Sequence, residues 1–360
     1  MTEPVDILLL GSGPFAARIA FDLAATAQRP TRVLVAARDP RRLAWVQTAA
    51  RGRAALFATP ARFATASVDL LADGAAAALL AQWRPRVVVQ AASAQAGAVI
   101  AGRRTGWSAL VAEGGLSATA IFQSVVTCAV AAAARDAGGN VHLLNGCFPD
   151  VVNGLVVAAG LPVLCGVGNV AILANAFAGA LAEEGAAARL RVLAHYQQLA
   201  AWRAPPEGRG GTPPRVWLDG AELADVFARF ADIQLTPEPA IELSGASAAP
   251  LALAIAHGLP WQGHVPGPHG LPGGYPVRWD GAALHLDLPP GVTQAAAVAW
   301  NARFEAENGL VLEGRRARYT GRLHAAIRAA DPSPADGFAL DDLPAAHAAM
   351  AALRARLERD

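Results

Sequence analysis

Lysine is absent from this 360-residue chain, cysteine appears three times, methionine twice, and acidic and basic side chains nearly cancel at a formal net charge of +1. Each shortage closes a class of function. Three cysteines at wide, irregular spacing form neither a disulfide framework nor a zinc site. So even a charge balance gives no reason to expect nucleic acid or a membrane surface as partner. The missing lysine, beside frequent alanine runs, reads as a coding bias rather than a function. The opening MTEPVD is acidic and has no basic segment before its short apolar run, so no secretory signal is expected. No stretch of about 18 residues stays apolar in a spanning pattern without Gly or charge, and a soluble, cytoplasmic protein is expected. What is plentiful is apolar content, 54% against 16% charged residues, enough to fill large cores in two domains that share an interface.

The stretch Asp6 to Leu23, DILLLGSGPFAARIAFDL, organises the rest. An apolar run (Ile7 to Leu10) meets Gly11-Ser12-Gly13-Pro14, and an apolar pattern at Phe15, Ile19 and Leu23 follows, so a buried strand turns through glycines into a helix. Gly11 permits the tight turn, Gly13 lets a pyrophosphate approach the backbone, and Ala16 allows close helix–strand packing. Free N–H groups at the helix start would face the phosphates. The alternative is a purely structural glycine turn.

A second strand, Thr31 to Ala37, ends in Arg38-Asp39-Pro40-Arg41-Arg42. An acidic residue at this strand's end would bond the ribose 2′-hydroxyl of NAD. Ala36 and Ala37 stand there instead, and arginine forks suit a 2′-phosphate. Arg38 and Arg41 therefore favour NADP, while Asp39 keeps NAD possible. Val68 to Leu70 reads as a third strand, the stretch to Trp83 as a helix, and Arg86 to Gln90 as a fourth strand. Its carboxyl end, with Ala92 and Ser93, should lie over the cofactor. The long Gly/Ala-rich segment from Ala94 to Ser117 is expected to be a lid, where Arg103 or Arg104 could clamp a substrate carboxylate. Strands alternating with helices at this spacing imply a parallel, doubly wound Rossmann sheet over residues 1–168 and an α+β substrate or dimerisation domain with antiparallel strands over 169–360.

A fifth strand, Val141 to Asn145, carries Asn145 at its tip with Pro149-Asp150 soon after; a strand ending in Gly166-Val167-Gly168 and then Ala194-His195-Tyr196 follow. In this order the chain resembles the lactate/malate dehydrogenase superfamily in layout, and more distantly the saccharopine and opine dehydrogenases, which reduce an imine. The resemblance implies that Asn145 touches cofactor and substrate, that His195 is the catalytic acid/base, and that the protein is a dimer or larger homo-oligomer. Ser247, opening a helix, would stand for the family's threonine beside the substrate. The segments Gly273 to Pro289 and Val298 to Asn308, the latter with Trp300, Phe304 and Glu305, resemble the C-terminal antiparallel strands and the final helix.

The family pairs its His with an aspartate from the helix after Gly-x-Gly and grips the substrate carboxylate with a nearby arginine. Here that helix reads Asn169-Val-Ala-Ile-Leu-Ala-Asn175, with no charge before Glu183. A larger or neutral substrate held by Asn169, Asn175 and Asn153 is therefore expected. Histidine suits proton transfer near neutral pH, whereas the alternative is a core histidine bonded to backbone. Tyr196 is a neighbouring donor, but consecutive strand residues face opposite sides, so only one of the pair should point at the substrate. Cys147 and Cys165 lack a cationic neighbour and read as buried apolar residues. His264 and His269 lack a third ligand at suitable spacing, so no metal is expected.

The expectation is an NAD(P)H-dependent oxidoreductase that reduces a carbonyl or imine of a small to medium metabolite. A nucleotide-binding protein whose cofactor is structural or regulatory is the alternative. Non-redox chemistry with a bound nicotinamide would need a metal near Cys147, Asn145 and His195. The tail from Arg318 to Asp360 reads as two alanine-rich helices, for packing or dimer contact.

Overall fold

A computed structural model describes residues 3–95, 105–138, 141–185, 188–235 and 241–359. Its centre is a six-stranded parallel sheet in the order β3-β2-β1-β4-β5-β6, formed by β1 (Ile7–Leu10), β2 (Thr31–Ala37), β3 (Ala61–Ser67), β4 (Val87–Gln90), β5 (His142–Asn145) and β6 (Cys165–Gly166). The crossover helices are α1 (Pro14–Thr26), α2 (Pro40–Leu56), α3 (Ala75–Trp83), α4 (Gly106–Gly114), α5 (Ala120–Asp136) and α6 (Val151–Ala158). This is the expected doubly wound arrangement.

Strand β1 shows why it forms. Ile7 and Leu9 enter one hydrophobic cluster, Leu8 and Leu10 the opposite one, and all four are fully buried. A strand covered on both faces needs an unbroken apolar run. The third strand departs from expectation. It is Ala61–Ser67, whose register runs Thr31↔Ala61 to Ala37↔Ser67, and Val68 to Leu70 lies beyond it. Small residues such as Ala64 and Ala66 carry too weak an apolar pattern to mark a strand in sequence, yet seven consecutive pairings to β2 hold them.

The second half begins with α7 (Asn169–Glu183). Three three-stranded antiparallel sheets follow: β7 (Leu190–Leu193), β8 (Arg215–Leu218) and β9 (Ala221–Glu222); β10 (Trp261–Pro266), β11 (Gly274–Trp279) and β12 (Leu284–Leu286); and β13 (Leu310–Glu313), β14 (Arg316–Tyr319) and β15 (Phe338–Ala339). Between them lie α8 (Val226–Arg229), α9 (Ile241–Ala246), α10 (Ala248–His257), α11 (Gln294–Glu307), α12 (Gly321–Ala330) and α13 (Leu343–Leu357). The largest apolar cluster joins β1, β2 and α1 to α10, β10 and β11, so the core runs across the 168/169 boundary.

The tail is not an appendage. Leu323, Ile327, Met350 and Leu353 pack with Trp107, Ile121 and Phe122 into one buried cluster. The expected lid is partly regular structure: α4 occupies Gly106–Gly114, capped by Thr105, and Arg103 and Arg104 lie outside the described residues. One helical stretch, Leu116–Asp136, is long and apolar enough to cross a membrane by length and composition, which the sequence reading did not anticipate. Of its apolar 18-residue window 78% is buried inside the fold, where it covers the sheet.

Candidate active site

The glycine turn sits at the carboxyl edge of the sheet. Gly11 has φ +116°, its N–H donates to Ala36 O at 2.8 Å, and a Cβ there would lie 3.0 Å from Ala91 O. Gly13 differs: it caps α1 without any side-chain hydrogen bond, and a Cβ built on it meets nothing within 4 Å. The turn thus presents an uncapped helix N-terminus, with Pro14 in its first turn, beside open space. That is the cradle a pyrophosphate requires. Phe15 leans over Gly146 at the tip of β5, where a Cβ would come 2.7 Å from its ring. The segment after β4 lies alongside: Ala92 exchanges hydrogen bonds with the buried Gln90 side chain, and Ser93 Oγ donates to Gln95 O.

At the end of β2 the three arginines divide. Arg38 and Arg41 are exposed. Arg42 folds back across the turn and donates to Ser12 O from Nε at 3.2 Å and Nη2 at 2.9 Å, while its guanidinium lies over the Trp45 ring. Asp39 spends one carboxylate oxygen on the start of α2, accepting from the N–H groups of Arg41 and Arg42.

Some residues expected at the substrate come together and others do not. Asn145 is buried, and its amide is fully engaged: Nδ2 donates to Asn153 Oδ1 at 2.7 Å and to Cys147 O at 3.1 Å, while Oδ1 accepts from Cys147 N. Asn153 passes the tie onward to Gly267 O. The asparagine braces the turn after β5 instead of offering a free polar atom. Asn175 is exposed on α7 and donates to Ala171 O of its own helix. Ser247 likewise gives its hydroxyl to Ser244 O. Ser244 is the α9 residue that faces the centre, 3.2 Å from where a Cβ on Gly168 would stand.

His195 is the focus of a buried polar cluster. It is 1% exposed and stacks on Phe304 with ring centroids 5.0 Å apart. Its Nδ1 accepts from Gln197 N at 3.4 Å, which assigns the neutral ring's proton to Nε2. That Nε2 stands 3.4 Å from Glu305 Oε1, within range for charge attraction but without hydrogen-bond alignment. Glu305, near the end of α11, accepts from Leu310 N at 2.6 Å and from Ser117 Oγ at 3.0 Å. Ser117 in turn meets Tyr196 Oη at 3.0 Å. Burial first, and then the negative charge of Glu305, hold the Tyr196 phenol well above its ordinary pKa.

Strand alternation does not set His195 and Tyr196 on opposite sides. The chain leaves the extended conformation at His195 and enters a 3₁₀ turn at Tyr196, so strand alternation no longer applies, and the two rings lie 4.6 Å apart. A second carboxyl joins them. Asp150, at the start of α6, is buried, and the Asn169 side-chain amide donates to its Oδ1, while Oδ2 has no hydrogen-bond partner. Burial raises its pKa from 3.8 to about 6, against the opposing pull of His195 and the Asn169 bond, and the charge of Glu305 pushes it further up.

Sequence reasoning missed Glu305 and Asp150 as partners of the histidine. The partner expected on α7 is supplied from α11 and from the turn after β5. The Pro149-Asp150 pair was the one local signal, whereas nothing near Glu305 marks it.

One residue joins the elements. Gly274 opens β11 and exchanges two backbone hydrogen bonds with Ala194, immediately before His195. Its carbonyl also accepts from Asn301 on α11, one turn before Glu305. A Cβ at Gly274 would overlap Val170 of α7, the neighbour of Asn169.

The remaining candidates are held by burial and local hydrogen bonds. Cys147 is buried with its thiol pushed up to about 12, and its Sγ donates to Ala92 O. Cys165 is buried in β6, its thiol also held high by burial. His264 accepts from Val192 N, and burial holds it down near 4. His269 bonds Leu284 O. No group of three or more potential metal ligands exists among the described residues.

No protein-family model matches the sequence, and a search of curated proteins finds no match. Solved structures match the fold. The malate dehydrogenase of Cryptosporidium parvum aligns over 84% of this chain and 96% of its own at TM-score 0.55 and 14% identity. That of Salinibacter ruber aligns over 84% and 95% at 0.53 and 14%. The Cryptosporidium parvum lactate dehydrogenase, solved with lactic acid and NAD, aligns over 84% and 96% at 0.52 and 14%. The chain has the lactate/malate dehydrogenase fold.

Proposed function

We propose that the protein is a nicotinamide-dependent oxidoreductase acting on a carbonyl or imine of a small to medium metabolite, or on the corresponding alcohol or amine. The observation that carries this reading is the turn at Gly13: open space beside an uncapped helix N-terminus, at the carboxyl edge of a 3-2-1-4-5-6 sheet. Backbone N–H groups of the first turn of α1 would hold the pyrophosphate, and Phe15 and the segment Ala92 to Ser93 would flank the nucleotide. The nicotinamide, when bound, supplies the hydride.

The chain's own task is then the proton. His195 presents its N–H at Nε2, with Glu305 Oε1 3.4 Å away. The Phe304 ring excludes water from one face. The Cryptosporidium parvum lactate dehydrogenase of the same fold was solved with NAD, and in this chain NADP is the favoured form, with Arg38 and Arg41 free to meet a 2′-phosphate. A homodimeric or larger assembly in the cytoplasm belongs to the same proposal.

A second reading has its own observation. His195 is 1% exposed with both ring nitrogens turned to protein groups, as in a protein that holds a nucleotide without turnover. Titration with NADPH and NADH, followed by energy transfer from tryptophan, separates the outcomes. Saturable binding, with NADPH at least tenfold tighter and that preference lost in Arg38→Ala/Arg41→Ala, supports the cofactor assignment. An unchanged ratio removes the NADP preference, and no binding of either form removes the reading. Binding without cofactor oxidation across a panel of ketones, aldehydes and imines selects the second reading.

A further inference from the structure

Two carboxyl groups and one imidazole converge in the interior, and their charges do not balance. Glu305 and Asp150 come from different helices, α11 and α6, and both bear on His195. Glu305 is satisfied by Ser117 and Leu310 N, whereas Asp150 keeps Oδ2 unpartnered while buried to 4% exposure. His195 Nε2 is also without an aligned partner. A buried carboxylate oxygen without a donor is costly even where its twin has one, and a ligand that brings a donor relieves that cost.

The surroundings offer no counterion in the described residues that face the centre. The first turn of α7, Asn169-Val170-Ala171-Ile172, is uncharged, and Ile172 is buried. Tyr196 is a neutral phenol. Arg191, four residues before His195, is turned away and bonds Asp287 through Nε and Nη2. The anion position at the start of α7 is already taken by Asp150, which receives the Asn169 amide. A substrate carboxylate would meet two like charges here, and a protonated nitrogen would meet two opposite ones.

We infer that the His195 centre binds the cationic nitrogen of an amine or imine, with Asp150 Oδ2 accepting its N–H and Glu305 completing the charge, and that it disfavours 2-oxo and 2-hydroxy acids. This rests on the oxidoreductase reading and selects, within it, the C–N over the C–O class. The carboxyls hold the charged form in place, with Asp150 Oδ2 the acceptor left open to it.

Equilibrium binding tests this apart from turnover. Pyrrolidine hydrochloride and sodium lactate, similar in size and opposite in charge, are titrated by calorimetry at pH 7.5 into the cofactor-saturated protein and into the protein alone. The expected result is pyrrolidinium binding at least tenfold tighter than lactate, weakened at least tenfold in Asp150→Asn and again in Glu305→Gln, with circular dichroism and cofactor affinity unchanged. Asp150→Asn keeps the Asn169 contact and so remains informative where Glu305→Gln fails to fold. Tighter binding of lactate, or no pyrrolidinium binding to protein that still binds cofactor, overturns the inference and leaves the oxidoreductase reading standing. Failure to bind either nicotinamide form overturns that reading instead, in a measurement that contains no amine.

Discussion

Replacing each of the two glycines of the first turn by alanine should separate folding from cofactor binding. At Gly11 a side chain must adopt φ +116° and stand 3.0 Å from a backbone oxygen of the neighbouring strand. A strained backbone of this kind costs about 1–3 kcal/mol, and an unyielding contact adds a similar amount. Gly11→Ala should therefore lower the unfolding free energy by about 2–6 kcal/mol, a large share of the roughly 5–15 kcal/mol that holds a domain folded. At Gly13 φ is −69° and the added methyl touches nothing. Alanine is a poorer helix cap than glycine but restricts the unfolded chain, and the two effects offset to within about 1 kcal/mol. The methyl does fill the space through which a pyrophosphate would reach the α1 amides, so NAD(P)H affinity should fall at least tenfold, about 1.4 kcal/mol. Guanidinium denaturation reads the first effect and tryptophan-to-nicotinamide energy transfer the second. Wild-type affinity in Gly13→Ala would mean that no phosphate lies there. Wild-type stability in Gly11→Ala would refute the turn geometry itself.

Other consequences are testable with the same protein. His195→Asn should lower turnover of whichever substrate the panel identifies by about 10²–10⁴-fold with cofactor affinity intact; parallel loss of both would count against proton transfer at this ring. Asp150 holds its proton up to about pH 6 in the folded chain and only to 3.8 as an ordinary aspartate. The folded state thus binds more protons in that window, and stability should fall by ~3 kcal/mol as pH rises from about 4 to 6. Asp150→Asn should flatten that part of the profile in denaturation measured at half-unit steps, and an unchanged slope would show that another group titrates.

What was legible in the sequence was what local pattern encodes. The run Ile7 to Leu10 is apolar because both faces of β1 are covered, and Gly11 and Gly13 follow because backbone must turn and stay open there. The order of strands and helices then identified the fold. The carboxyl partner of His195 was not legible, because Glu305 reaches it only through the packing of α11 against the end of β7, a tertiary contact with no trace in spacing. The backbone course at His195 and Tyr196 was not legible for a similar reason. Strand periodicity was extended one residue too far, to a position where the backbone had already begun to coil. Asn145 was assigned to the substrate on resemblance alone, and its hydrogen bonds to Cys147 and Asn153 are invisible without coordinates.

The junction at Gly274 gives the centre a property that no single member possesses. Because one backbone unit pairs with the residue before His195, receives Asn301 from the helix of Glu305 and lies against Val170, the backbone segments that carry His195 and Glu305 are tied to one point of the core. Such a centre is indifferent to surface drift and sensitive to interior change.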